Sequence, residues 1–114
     1  MISSRISESE KIVYVDVSGY ITSKEASDFI KSYKQMTKGM KVSQYRLVVT
    51  PSVFECENNE DIRNVCMSFF KSGYKKMYLV DPKNYIMGNL TLGTMEKKLF
   101  TKSVKIIGSI NDLK

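Results

Sequence analysis

Residues 11–25 read Lys11-Ile-Val-Tyr-Val-Asp-Val-Ser-Gly-Tyr-Ile-Thr-Ser-Lys-Glu25, and a strand signal and a helix signal meet within them. The three valines occupy alternate positions, which is the period-two pattern of a β-strand with one buried face. Thr22 and Glu25 then have the spacing of a capping box, in which the hydroxyl accepts from the Glu25 amide and the carboxylate reaches back. The stretch therefore predicts a strand over 11–21 that leads directly into a helix.

Strands and helices alternate along the rest of the chain. The first and second predicted helices each carry apolar side chains at helical spacing. Glycine or proline stands near the end of several elements, as expected of residues that terminate helices and strands. The predicted elements are strands over Ile2–Ser7, Lys11–Ile21, Tyr45–Thr50 (ended by Pro51), Lys75–Val80 and Val104–Ile110, with helices from Thr22 to about Gly39, from Asn58 or Asn59 to Gly73, and within Lys83–Lys98.

This order, β-β-α-β-α-β-α-β, predicts an α/β fold with a mostly parallel sheet, an antiparallel N-terminal edge strand and helices packed on the sheet. A length of 114 residues is typical of one domain, so we expect a single domain over 1–114. The composition, 42% hydrophobic and 26% charged, is that of a globular protein rather than a disordered one.

Histidine is absent from the sequence, and Cys56 and Cys66 are its two cysteines. The absence removes Ser-His and Cys-His nucleophile pairs, and two cysteines alone cannot supply a four-ligand zinc site. We therefore expect a protein that is not an enzyme and that holds no metal or cofactor, although carboxylate and lysine chemistry stay open. Free thiols are the expectation for both cysteines in a cytosolic protein.

The sequence contains no apolar run near the roughly 18 residues that a membrane span needs. Glu8 and Glu10 also interrupt any signal-peptide core, so we expect a cytoplasmic protein. The net charge of +6 favours an acidic partner, whether a protein, a nucleic acid or a membrane surface. The cations are mostly lysines spread along the chain, without an arginine cluster or a basic-aromatic run, which disfavours nucleic-acid binding.

Three segments carry a resemblance to a known family: Val15–Thr22, Leu90–Phe100 and Ser109–Leu113. Together with the element order, they resemble the STAS domain, the family of anti-sigma-factor antagonists and of the cytoplasmic tails of sulfate transporters. The first segment is similar to the family's second strand and the start of its first helix. The resemblance implies a non-enzymatic module that binds and regulates another protein.

The sequence departs from this family at the start of the second helix. Phosphorylatable members carry an Asp-Ser-Ser/Thr-Gly-like stretch there, whereas the corresponding residues 53–61 contain no serine or threonine. The family's phosphoacceptor is therefore not implied for this chain. Four carboxylates stand in the segment, which suggests either a permanently anionic surface or charges that simply complement the helix dipole.

Two candidate surfaces follow from these patterns. The loop after the third strand is expected at the carboxyl ends of the parallel strands, where open α/β sheets bind their ligands. It combines apolar side chains, expected to be exposed, with acidic ones, as interface centres and rims do. We therefore predict that a protein partner binds Val53, Phe54, Glu55, Glu57, Asn58, Asn59, Glu60 and Asp61.

The second candidate surface is basic and lies on the first helix. At 100° per residue, five lysines fall within a sector of roughly 100° beside the apolar stripe. They form either a docking face for an acidic partner or anionic lipid, or an ordinary solvated face. These lysines are Lys24, Lys31, Lys34, Lys38 and Lys41.

A small-ligand or lipid-binding domain of related α/β fold is the alternative to a protein-interaction module. That function needs a cavity between the sheet and the helices.

Overall fold

The computed structural model describes residues 1–83, 85 and 94–113. Two short 3₁₀ helices, Val42–Gln44 and Ile110–Leu113, accompany the main elements. The strands and α-helices of this part of the chain are β1 (Ile2–Ser7), β2 (Ile12–Ile21), α1 (Ser23–Thr37), β3 (Arg46–Cys56), α2 (Asn59–Ser72), β4 (Lys76–Val80), α3 (Thr94–Ser103) and β5 (Val104–Ile107).

The five strands form one sheet in the order β1-β2-β3-β4-β5. β1 pairs antiparallel with β2, and the other three pairs are parallel. The predicted α/β architecture, with its antiparallel N-terminal edge strand, is therefore confirmed. Because β2 to β5 run in one direction, their carboxyl ends meet at one edge of the sheet, and their starts meet at the opposite edge.

One face of the sheet packs against the helices. Val13, Val15 and Val17 of β2 are at most 1% exposed on this face, as their alternation predicted. α1 contributes Phe29 and Tyr33, whose rings both contact Phe69 of α2 edge-on, with centroids 6.2 and 5.1 Å from it. Burial of these large side chains is the main favourable term that holds α1 and α2 on the sheet.

The other face carries a second, smaller apolar cluster. Strand pairing places Tyr14, Val48 and Tyr78 side by side, and all three are buried. Ile12, Val80 and Ile107 belong to the same cluster, against which Leu113 of the last 3₁₀ helix packs. None of the described α-helices α1 to α3 contributes to this cluster, and in this sense, which leaves aside the 3₁₀ helix Ile110–Leu113, we call this side the helix-free face.

Local chemistry determines two helix ends as predicted. The Thr22 hydroxyl accepts from the Glu25 amide at 3.0 Å, which satisfies one of the free amides at the start of α1. The second half of the predicted capping box differs: the Glu25 carboxylate accepts from the Ile2 amide of β1 at 3.2 Å instead of reaching back to the start of its own helix, so it ties the helix start to the edge strand. Gly73 ends α2 in the left-handed conformation, at φ 81°, which a residue without a side chain adopts at little cost.

The predicted end of the third strand at Pro51 is wrong, because β3 continues to Cys56. β4 pairs with β3 only from Arg46 to Val49, so the later part of β3 has β2 as its paired neighbour. Proline is tolerated there because it interrupts no ladder between two central strands. The register of β2 against β3 shifts between Val17 and Gly19, as in a β-bulge.

The last strand is also shorter than predicted, since β5 ends at Ile107 rather than at Ile110. The amides of Gly108 and Ser109 both donate to Asp112 Oδ2 at 3.2 Å, and this turn leads into the 3₁₀ helix Ile110–Leu113. A short side chain that accepts from nearby amides competes with the strand ladder in this way.

The third helix, α3, overlaps the predicted stretch Lys83–Lys98 but extends past it to Ser103. Residues 84 and 86–93 of the predicted stretch, Gly88 and Gly93 among them, lie outside the described residues, and so does the first part of the Leu90–Phe100 segment. None of the helices in the described part of the chain is long and apolar enough to cross a membrane.

Candidate functional site

The starts of α1 and α2 lie next to each other at the carboxyl edge of the sheet. Ile21 and Cys56, the last residues of β2 and β3, are paired, and the Glu57 amide donates to the Ile21 carbonyl at 2.8 Å. The Ser23 amide donates to Glu57 Oε1 at 2.8 Å, and the Ser23 hydroxyl donates to Asp61 Oδ2 at 2.7 Å. Two carboxylates from the start of α2 therefore bind the first residue of α1.

Sequence reasoning missed Ser23 as a member of this site. It considered the region around residues 53–61 alone and found no hydroxyl there, whereas the fold brings a hydroxyl from the first helix. The signal was available, because β2 and β3 were predicted to be parallel and each to lead into a helix. Helices that follow neighbouring parallel strands must begin side by side.

The predicted loop 53–61 is only partly a loop, since its first four residues belong to β3. Val53 is 70% exposed, as predicted, but Phe54 is only 7% exposed. Phe54 is paired with Gly19 after the register shift and joins the helix-side core. The prediction that Phe54 is an exposed aromatic anchor is therefore wrong.

The polar members of the predicted site are accessible, with one exception. Asp61 is half-buried because it bonds to Ser23. Asn58 precedes α2 as its N-cap residue and makes no side-chain capping bond, and Asn59 is the first helical residue. Exposed side chains are found at Glu55, Glu57, Asn58, Asn59 and Glu60.

Tyr20, which sequence reasoning did not select, is the exposed aromatic residue of this edge. It is 58% exposed and is paired with Glu55 of β3, which is also exposed. Val53 lies two residues before Glu55 and so projects from the same face of the strand. This is the helix-free face, because Ile21 and Phe54, the neighbours of Tyr20 and Glu55 in the chain, are buried on the helix side.

Gly19, the residue before Tyr20, has a left-handed backbone conformation that favours a residue without a side chain. It has φ 67°, and a Cβ at this position would lie 3.6 Å from the Met1 nitrogen at the start of β1. Met1, 63% exposed, therefore borders the same region. We define the carboxyl-edge surface as Tyr20, Val53, Glu55, Glu57 and Glu60, a set that combines two exposed apolar side chains with three exposed carboxylates.

The lysine face predicted on the first helix is smaller than expected. All five lysines are exposed, but α1 ends at Thr37, so Lys38 is its C-cap residue and Lys41 lies beyond it. Lys24 forms an ion pair with Asp28 at 3.2 Å. Lys31 and Lys34 line a groove of about 290 Å³ between α1 and α2.

The two cysteine thiols are free and poorly nucleophilic. Burial raises the pKa of the Cys56 thiol, and the nearby Asp61 carboxylate raises it further. Burial raises the pKa of the Cys66 thiol to about 12. The thiolate is the reactive form of cysteine, so a raised pKa makes a thiol less reactive. A catalytic cysteine has electropositive surroundings that lower its pKa, and this site lacks them. Within residues 1–83, 85 and 94–113, no cluster of three metal-binding side chains is found.

A cavity between the sheet and the helices has a volume of about 30 Å³. It is apolar and is lined by residues that include Leu47, Phe69, Phe100 and Met77. Ligand pockets usually measure several hundred Å³. A lipid of the kind that the alternative function requires does not fit there.

Two solved structures share the fold of this chain. The anti-sigma factor antagonist SpoIIAA in its unphosphorylated form matches 98% of the chain and 92% of its own length, with a TM-score of 0.56 and 8% sequence identity. An uncharacterized protein of the DUF3478 family from Shewanella loihica PV-4, which has a SpoIIAA-like fold, matches 98% of the chain and 88% of its own length, with a TM-score of 0.59 and 9% identity.

No family model and no curated protein matches the sequence. The chain therefore has a STAS-like, SpoIIAA-like α/β fold, as its sequence resemblance predicted. At identities of 8% and 9% the likeness concerns the fold alone.

Proposed function

We propose that this chain is a regulatory module of the cytoplasm that binds another protein through the carboxyl-edge surface and catalyses no reaction itself. The observation that carries the proposal is the pairing of exposed Tyr20 with exposed Glu55, beside the exposed Val53. An aromatic and an aliphatic side chain thus stand in solvent on neighbouring strands, next to carboxylates. Interfaces commonly combine an apolar centre with a polar rim in this way.

The energetic argument rests on Tyr20 and Val53. Burying a valine side chain completely is worth about 1.5–3 kcal/mol, and tyrosine is among the residues most enriched at binding hot spots. Both side chains extend from strands, whose backbone is already ordered. Binding of a partner would therefore cost little conformational entropy of this chain.

Charge determines the kind of partner that fits. The molecule as a whole has a net charge of +6, which favours an acidic partner, but the carboxyl-edge surface contributes three exposed carboxylates. Contacts across an interface depend on local charge more than on net charge, because charges farther apart than about 8–10 Å are screened at physiological salt. We therefore expect the partner to present a basic rim around an apolar pocket for Tyr20.

The comparisons support a regulatory role in part. One structural neighbour is an anti-sigma factor antagonist and the other is an uncharacterized protein. Neither is described as an enzyme, which agrees with the poorly nucleophilic thiols of this chain. The absence of a hydroxyl in residues 53–61 means that a phosphate at the start of the second helix is not part of the proposal.

Site-specific photo-crosslinking in living cells tests the proposal. A photoreactive phenylalanine analogue in place of Tyr20 is expected to capture one predominant protein, whereas the same group in place of Lys31 on α1 is expected to capture little of it. Both positions are exposed, so the two variants are matched in accessibility. Capture of the same protein only from position 31 would place the interface on the first helix and contradict the proposal.

A further inference from the structure

A second charged surface lies at the opposite edge of the sheet, where β2 to β5 begin. A groove of about 520 Å³ runs along this edge, and we call it the amino-edge groove. Five cationic side chains and two carboxylates line the groove. It therefore has a net excess of three positive charges, half of the +6 of the chain. The cationic side chains that line it are Lys11, Arg46, Lys75, Lys76 and Lys105.

Strand pairing places two of these cations side by side. Arg46 of β3 is the register partner of Lys76 of β4. Arg46 is also the partner of Ile12, which is buried on the helix-free face, so Arg46 and Lys76 project from that face as well. Lys105 of β5 is paired with Tyr78, two residues after Lys76, and belongs to the same face. Like charges on directly paired residues destabilise a sheet.

The groove does not neutralise this charge internally. Glu10 accepts from the Tyr14 hydroxyl at 3.1 Å, and Asp112 accepts from the amides of Gly108 and Ser109, so both carboxylates have other partners. The Lys11 Nζ lies over the Tyr45 ring, 5.2 Å from its centroid. Among the described residues, none of the five groove cations forms an ion pair with a carboxylate.

We propose that the amino-edge groove binds a small anion that carries two or more phosphate groups. A guanidinium beside ammonium groups suits phosphate, because arginine can bind two phosphate oxygens at once while lysine adds charge. A diphosphate or triphosphate would offset the net excess of three charges and relieve the contact between Arg46 and Lys76. The groove lies at the other edge of the sheet from the carboxyl-edge surface, so this proposal goes beyond the proposed function.

Two features favour a compact anion over nucleic acid. Nonspecific single-strand binding relies on exposed aromatic rings on which bases stack, but the groove's Tyr78 and the adjacent Tyr14 are both only 8% exposed. A long polyanion that covered the whole groove would also meet Glu10 and Asp112, which share its lining. A compact anion on Arg46, Lys76 and Lys105 avoids both.

Isothermal titration with sodium tripolyphosphate tests this site. At about 100 mM salt, where charges on opposite edges are screened from each other, we expect saturable binding of one anion per chain. The double variant R46Q/K76Q is expected to bind roughly tenfold more weakly or worse, since it removes two of the three cationic donors that the anion would contact. The matched control K31Q/K34Q removes the same charge from exposed positions on α1 and is expected to bind as the parent protein does.

Thermal unfolding gives an independent readout. Without the anion, R46Q/K76Q should unfold at the same temperature as the parent protein or at a higher one, because it loses a like-charge contact. With tripolyphosphate, only the parent protein and the control should gain stability. Absence of saturable binding, equal weakening in the control, or tighter binding of a hexaglutamate peptide or an oligothymidine would overturn the proposal. The protein interface at the other edge would stand in each of these cases.

Discussion

The Ser23 hydroxyl of α1 donates to the Asp61 carboxylate of α2 at 2.7 Å, and this bond joins the two helix starts at the carboxyl edge of the sheet. The residues lie 38 positions apart in the chain. They meet because β2 and β3 are parallel neighbours and each leads into a helix. The Ser23 amide also donates to Glu57 Oε1 at 2.8 Å, so a second bond joins the two helix starts.

Removal of this hydroxyl should lower stability measurably. S23A is expected to reduce the free energy of unfolding by about 1–2 kcal/mol, because the hydrogen bond involves a charged acceptor that is half-buried. Urea denaturation followed by circular dichroism measures the change. S27A, at an exposed position on the same helix, is the control and should change stability by less than about 0.5 kcal/mol. Equal effects of the two substitutions would show that the bond contributes nothing.

Phe54 and its neighbour Val53 should respond oppositely to truncation. F54A is expected to cost about 3–5 kcal/mol of unfolding free energy, since the ring is 7% exposed and belongs to the core. V53A should be close to neutral because its side chain is 70% exposed. Guanidinium denaturation of the two variants compares them directly. A neutral F54A would mean that β3 ends near Pro51 after all.

Thiol titration under native conditions should detect Cys56 alone. Cys66 is buried with a pKa raised to about 12, so it should react only after unfolding. Burial and the Asp61 carboxylate raise the pKa of the Cys56 thiol. The rate at which Cys56 reacts with the thiol reagent should therefore keep increasing at pH values where an ordinary thiol is already fully ionised. C56S should abolish the native reaction. Two native reactive groups would contradict the packing of α2 on the sheet.

A hydrogen-bonded pair of tyrosines, one buried and one half-buried, should make the protein sensitive to alkali. Tyr33 and Tyr74 share a hydrogen bond of 2.6 Å, and burial raises the pKa of both hydroxyls above the ordinary value of 10.0. A raised folded-state pKa stabilises the fold below the unfolded pKa, and this contribution is lost as pH increases above about 10. Denaturation between pH 8 and 11.5 should therefore show falling stability.

Phenylalanine substitutions identify the source of that loss. Y33F/Y74F should reduce the slope of stability against pH in the alkaline range, whereas Y20F, at an exposed position, should leave it unchanged. An unchanged slope in Y33F/Y74F would assign the alkaline instability to other groups.

Elements that depend on nearby residues were predictable from sequence. Thr22 and Gly73 limit their helices through backbone geometry and local hydrogen bonds, so their roles follow from a few neighbouring positions. The end of β3 was not predictable in the same way. Whether Pro51 ends a strand depends on the length of β4, which is separated from it by a whole helix.

The amino-edge groove also depends on residues that lie far apart in the sequence. Lys11, Arg46, Lys76 and Lys105 are about 30 residues apart, so the sequence shows no basic cluster. The fold gathers them because each lies at or next to the start of a strand, and strand starts recur at that interval in alternating strands and helices. The burial of Phe54 likewise depends on the register shift between Val17 and Gly19, because the shift adds one residue to β3 and turns Phe54 to the helix side, and no local pattern reports it.

The dissociation constant of the partner captured from position 20 tests the central claim most directly. Y20A/V53D should weaken binding by a factor of at least about 100, because it removes a hot-spot side chain and adds a charge at the centre of the interface. The reversal E55K/E60K should act mainly on the association rate and its salt dependence, and it spares Glu57, which binds Ser23. The control K31E/K34E should bind within about twofold of the parent protein. Binding that survives Y20A/V53D but fails in K31E/K34E would contradict an interface at the carboxyl edge.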